Sequence, residues 1–153
     1  MAKHVGVKIP DDLVEYLKTE RALGVLATFS EKGIPNTTPV QCIYPKGSES
    51  LLMSIHKEHT GYSNMVWQKK IMLNFLGENN IAYSILGRAG VVRAPSQVHP
   101  LMNIIRIDII DIKSDRSILT KVESGVVWTY TSAEAKELVQ SLYKELRDLA
   151  KSL

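Results

Sequence analysis

Nine residues from His56 to Asn64 hold the densest group of chemistry-bearing side chains in the chain: Lys57, His59, Thr60, Gly61, Ser63 and Asn64. Where such a polar loop enters a helix, backbone amides and the helix dipole favour an anion, hydroxyls orient it, and a Lys or His supplies charge. The cluster is therefore a candidate site for one phosphate. The competing reading is a solvated turn in which Thr60 or Ser63 does no more than cap the helix. His56 and His59 could also bind a metal, but residues three apart on a strand face opposite ways and no third ligand lies close, so no metal site is expected. Cys42, in the run Val40-Gln41-Cys42-Ile43, reads as a small apolar residue; with no paired cysteine it can close no disulfide within the chain, and nothing near it activates a thiol. Nucleophile elbows, Walker loops and dinucleotide fingerprints are absent from the sequence.

The elements that would have to position these groups are short. Ile9-Pro10-Asp11-Asp12 opens a helix that ends near Arg21, with Leu13, Tyr16 and Leu17 on one face. Leu23–Phe29, Pro35–Tyr44 and Leu51–His56 read as three successive strands, with turns at Ser30–Gly33 and Pro45–Ser48. Pro39 lacks a ladder donor, which places its amide position at an edge, a bulge or a ligand. A short helix follows over Tyr62–Lys70, then extended runs Ile71–Leu76 and Ile81–Ala94 around the Gly77–Asn80 turn. Gly87 and Gly90 mark a bulge or a close backbone approach. Ile105–Ile112 alternates as a half-buried strand, and Val126–Tyr130 reads as a last one. Thr131 to Glu134 is a capping-box pattern opening a terminal helix, whose stripe is Leu138, Val139, Leu142, Leu146 and Leu149. Six or seven short strands at hairpin spacing favour an antiparallel barrel over a parallel sheet.

Composition narrows the class. The 153 residues suit one domain, and 44% hydrophobic with 23% charged residues describes an ordinary globular protein. A net charge of +3, with basic residues scattered and aromatics at 7%, gives no basic groove for nucleic acid. No apolar run is long enough to span a bilayer, and Met1–Gly6 has no signal-peptide core, so a cytoplasmic protein without a membrane partner is expected.

The order Leu26-Ala27-Thr28, Gly33-Ile34-Pro35, Thr38-Pro39-Val40, the Leu51–His56 strand, and an Asn64-Met65 helix ending in Lys69-Lys70-Ile71 resembles the pyridoxamine 5′-phosphate oxidase-like family of FMN-binding split barrels. Gly87-Arg88-Ala89 followed by Val91-Val92 is similar to a later barrel strand of that family, and the resemblance runs over residues 10–113. It implies a mainly β (α+β) fold, a six-stranded antiparallel split barrel with short flanking helices and a C-terminal amphipathic helix, forming one domain over residues 1–153. It also implies a homodimer with FMN at the subunit interface. Thr38, Pro39, Val40 and Gln41 correspond to the strand along the isoalloxazine ring; Ser54, Ile55 and His56 lie beside the ribityl chain; Thr60, Ser63 and Asn64 match the phosphate-binding turn. Where the family often carries an Arg-Lys or Lys-Thr pair, this chain has His59-Thr60-Gly61-Tyr62, which leaves Lys57, His59 or a residue elsewhere as the phosphate cation. Trp128, on a late strand, could reach a flavin across the interface, whereas Trp67 reads as packing and Arg88 and Arg93 as solvated or paired. The expected function is a flavin-dependent oxidoreductase or electron carrier acting with a small-molecule redox substrate or electron donor. Oxidation of pyridoxamine phosphate is not expected, because the arginine-rich C-terminal segment of that oxidase is replaced by a Lys/Glu-bearing helix. The alternative is a non-enzymatic split barrel that binds haem, a deazaflavin or another small ligand.

Overall fold

The computed structural model describes residues 3–152, so Met1, Ala2 and Leu153 lie outside the described residues. Eight strands and three helices follow one another as β1 (Lys3–Gly6), α1 (Asp11–Lys18), β2 (Gly24–Phe29), β3 (Pro35–Val40), β4 (Ile43–Lys46), β5 (Ser50–His56), α2 (Thr60–Trp67), β6 (Lys70–Gly77), β7 (Ile81–Arg93), β8 (Met102–Ser114) and α3 (Ala133–Ser152). All strands pair antiparallel in the order β3-β2-β6-β7-β8-β5-β4, with β1 added to β8.

That order explains the shape. β3 and β4 are the two ends of the sheet, yet only Gln41 and Cys42 separate them in sequence. Two residues cannot bridge a flat sheet seven strands wide, so the sheet rolls until its ends meet, and because β3 and β4 do not pair the barrel stays split. Cys42 makes the transfer with φ +54, its carbonyl accepting from Ser54 N–H at 3.0 Å. The predicted single run Pro35–Tyr44 is therefore two strands on opposite edges, and Pro39 sits on an edge strand as its missing donor requires.

Local chemistry sets the remaining turns. Asn79 and Asn80 both take left-handed φ near +60, which closes the β6–β7 hairpin. Between β7 and β8 the register slips at Leu86/Gly87, leaving Ile110 as an extra residue, and a Cβ on Gly87 would strike Ile107. The bulge expected at Gly87 is thus present, and it lets two thirteen-residue strands curve.

Two apolar clusters result. The barrel interior holds Leu26, Leu51, Met53, Leu73, Phe75 and Ile107 among others, with Leu13 and Leu17 of α1 and Met65 of α2 packed into it. Tyr16 of α1 lies against Gly77 at the end of β6, and α2 runs into its start at Lys70. The two helices therefore approach opposite ends of a strand about 25 Å long. The second cluster is outside: Leu142, Tyr143 and Leu146 of α3 cover Cys42, Leu52 and Ile104. Three polar anchors fix that helix. Tyr143 OH accepts from Cys42 N–H at 3.1 Å; buried Glu145 accepts from Arg93 at 2.9 Å, Gln97 N–H at 2.8 Å and the Ser96 hydroxyl; Arg147 pairs with Glu20. The cap is Ser132, accepting from Ala135 N–H at 3.0 Å, one residue after the predicted Thr131.

The predicted strand Val126–Tyr130 does not form, and β1 was not anticipated. Both edges of β8 are filled, by β7 on one side and by β5 followed by β1 on the other, so no ladder is left there for Val126. Residues 115–132 instead form a strap whose polar groups bond to side chains and turns. Arg116 Nε donates to Asn80 O at 2.8 Å, Asn80 and Val122 exchange two bonds at 3.0 Å, and Gly125 rests on the Leu76 carbonyl with no room for a Cβ.

Burial raises the Cys42 thiol to about 12, and burial followed by Asp12 raises the Tyr83 phenol to about 12; burial also raises Tyr143. All three are held protonated in the fold, so their stabilisation is complete below the ordinary values of 9.0 and 10.0 and is lost as pH climbs through the folded ones. The melting temperature is expected to fall from about pH 9 upward, and Cys42→Ala to blunt the early part of that fall in a pH series of thermal melts; an unchanged profile places the decline elsewhere. Leu146→Ala should cost about 2–5 kcal/mol in chemical denaturation, because the cavity lies between a helix and a sheet pinned by other contacts.

Candidate functional site

β3, β5 and the start of α2 bring the predicted residues near one barrel mouth, and strand alternation divides them. On β3, Thr38 and Val40 share the inward face with Leu26 beside them, while Pro39 faces out and is exposed. Thr38 and Pro39 therefore belong to different faces of the strand. On β5, Ile55 faces the barrel interior, whereas Ser54 lies on the face of Leu52 under α3. The Ser54 hydroxyl is buried without a hydrogen-bond partner. His56 Nδ1 accepts from Glu58 N–H at 3.1 Å.

His59 organises the mouth. It is the cap of α2, its Nδ1 accepting from Gly61 N–H at 2.9 Å, while Nε2 lies 3.1 Å from Thr38 Oγ1. An Nδ1 that accepts leaves the ring proton on Nε2, so the imidazole is neutral and donates to Thr38. Its carbonyl also takes Tyr62 N–H and Ser63 N–H at 3.0 and 3.2 Å. The cap predicted for Thr60 or Ser63 is thus made by His59, and the amides that would greet an anion are largely engaged by it. Gly61 permits this packing, since a Cβ there would come within 3.1 Å of both the His59 ring and Leu26.

The rest of the cluster separates into inward and outward groups. Asn64 is buried and donates to Thr28 Oγ1 at 3.0 Å, tying α2 to β2. Ser63 Oγ donates to Thr60 O at 3.1 Å. Lys57 and Thr60 are exposed, and among the described residues neither side chain has a bonded partner. They are the groups free to meet a phosphate. Gln41 is half-buried at the edge crossing.

Trp128 is engaged elsewhere. Its indole N–H donates to Arg21 O at 3.0 Å, Arg21 Nη2 returns a bond to Trp128 O at 2.7 Å, and the guanidinium stacks 3.9 Å from the ring centroid. Trp67, expected to pack, is half exposed, and Arg93 is paired as expected. Among the described residues no three metal-ligating side chains gather, and no helix is long and apolar enough to cross a membrane. Thr28 escaped the sequence reading because only folding brings it to Asn64; His59 as a cap had a local signal in the small residue two positions on.

The family model described as pyridoxamine 5′-phosphate oxidase matches residues 9–123. Among solved structures, a proposed pyridoxamine 5′-phosphate oxidase from Lactobacillus delbrueckii is similar at 18% identity and TM-score 0.62, covering 72% of this chain and 98% of its own. HupZ of Group A Streptococcus is similar at 15% identity and TM-score 0.60, covering 76% and 99%. An F420 reductase is similar at 16% identity and TM-score 0.56, covering 68% and 98%. A search of curated proteins finds no match. At these identities the structures speak for the fold alone, and it is the family model, together with the split barrel it accompanies, that places the chain: it belongs to the pyridoxamine 5′-phosphate oxidase family.

Proposed function

We propose that this protein is an FMN-binding flavoprotein, working as a flavin-dependent oxidoreductase or electron carrier on a small-molecule redox partner, in the cytoplasm, as a homodimer with the cofactor between subunits. The observation that carries the reading is the family match over residues 9–123, joined to a barrel mouth where β3 and the β5–α2 turn converge. The residues fit FMN in a specific way. Lys57 supplies a cation and Thr60 a hydroxyl for the phosphate, both exposed where β5 turns into α2. Asn64 supports the site from behind by holding α2 on Thr28. His59 fixes the α2 entry and Thr38. Bound FMN supplies the hydride or electron chemistry, and the chain's own task is to bind, orient and shield it.

A second reading is a non-enzymatic binder of a deazaflavin, haem or another small ligand; the F420 reductase among the structural neighbours supports a ligand other than FMN and says nothing for the lack of turnover. Spectra separate the two: flavin absorbance favours the first, a Soret band or deazaflavin absorbance the second.

Titration should show FMN binding more tightly than riboflavin, since a charge-assisted contact is worth about 1.5–3 kcal/mol. Lys57→Ala and Thr60→Ala should each weaken FMN about tenfold while leaving riboflavin unchanged. Asn64→Ala should weaken both ligands and lower the melting temperature, because it loosens α2. Equal affinities for FMN and riboflavin in the unaltered protein would overturn the phosphate assignment.

A further inference from the structure

α3 meets the barrel through Leu142, Tyr143 and Leu146, and one buried carboxylate, Glu145, interrupts that apolar face. A buried charge is costly unless paired and bonded, whereas an apolar residue would pack there without that cost. As a tether for the helix Glu145 is spare, because the stripe, Tyr143 on Cys42 and Arg147 on Glu20 already hold α3 to the body. Its bonds all run to one place. The two oxygens accept from Arg93 Nη1 at 2.9 Å, from Gln97 N–H at 2.8 Å and from the Ser96 hydroxyl, where β7 gives way to the connection leading to β8.

That connection, residues 94–101, is neither helix nor strand, and β7 enters it through a register shift between Val91 and Arg93. Its course is set by polar bonds that start at Ser96. The Ser96 Oγ accepts from Val98 N–H at 3.0 Å, and its N–H donates to Met102 O at 2.7 Å. His99 fixes the far end, its carbonyl accepting from Met102 N–H at 3.2 Å and its Nδ1 from Leu101 N–H at 3.1 Å. The Leu101 carbonyl then accepts from Lys57 N–H at 2.8 Å, one rung past the His56–Met102 pair that ends the β5–β8 ladder. A continuous set of bonds thus joins Glu145 to the backbone of the residue that carries the phosphate cation.

We propose that Glu145 is a positioning residue for phosphate recognition: by bracing the β7–β8 connection it holds the β5–α2 turn, with Lys57 and Thr60, in place before the ligand arrives. This role rests on the flavin reading above, which supplies the phosphate. A lysine side chain is flexible, so what the brace contributes is preorganisation of the turn, which lowers the entropy lost when the phosphate is bound. α3 lies beyond residues 9–123, the stretch the family model matches, so the brace comes from outside the matched part of the chain.

Two measurements on the full chain test it. Without ligand, amide hydrogen exchange at Lys57 should run about tenfold or more faster in Glu145→Gln, with the barrel amide of Leu73 unchanged. In titrations, the preference for FMN over riboflavin should fall about fivefold in Glu145→Gln. Leu146→Ala weakens the same helix but keeps the carboxylate, so it should lower the melting temperature and leave that preference unaltered. Ser96→Ala, which removes one bond and spares the Arg93 pair, should move both readouts the same way by less, and it serves if Glu145→Gln does not fold. Lys57 exchange that stays as in the unaltered protein overturns the proposal, as does a preference that survives Glu145→Gln or falls equally in Leu146→Ala. Equal affinity of the unaltered protein for FMN and riboflavin defeats the flavin reading instead, and the exchange measurement alone then decides whether Glu145 braces the turn.

Discussion

The two-residue passage through Gln41 and Cys42 governs this structure. Because it joins the two ends of a seven-strand order, every other strand must lie along an arc that brings those ends together, and the bulge opposite Gly87 and the length of β7 and β8 supply the curvature. The passage is held from both sides: its carbonyl takes the Ser54 amide of β5, and its amide is taken by the Tyr143 hydroxyl of α3. A residue with a Cβ accepts positive φ there because these bonds offset the strain.

From this constraint the candidate site follows. Rolling the sheet sets β3 beside the mouth that α2 enters, which is why His59 can cap a helix with one ring nitrogen and reach Thr38 on the sheet edge with the other. The same roll hides Ser54 on the side covered by α3 and turns Asn64 toward Thr28. Nine neighbouring residues that look equivalent in sequence thus end with separate duties: one caps, one braces, two stay free in solvent.

Much of this was legible beforehand where the cause is local. The Pro39 edge, the Gly87 bulge, the Asn79-Asn80 turn and the stripe of α3 all follow from single-residue stereochemistry or periodicity. What escaped depends on partners remote in sequence. Val126–Tyr130 has a strand's composition, but no ladder remained for it; Pro35–Tyr44 reads as one run because nothing local marks Cys42 for a left-handed turn. Lys3–Gly6 is exposed throughout and carries no alternation to read. The cap fell to His59 although hydroxyl residues are the usual choice, since its ring alone is long enough to serve the helix and Thr38 together.

The anchoring of α3 also bears on how the molecule is made. Its partners are Glu20, Cys42 and Arg93 to Gln97, and it occupies the final twenty residues of the described chain before Leu153. Synthesis proceeds from the other end, so the rolled sheet can assemble while Cys42, Leu52 and Ile104 have no cover, and the oily outer side of β4 and β5 stays bare until α3 has been made. A nascent chain in that interval presents an apolar surface that α3 later covers, and a chain stopped short of Leu142 would keep it bare.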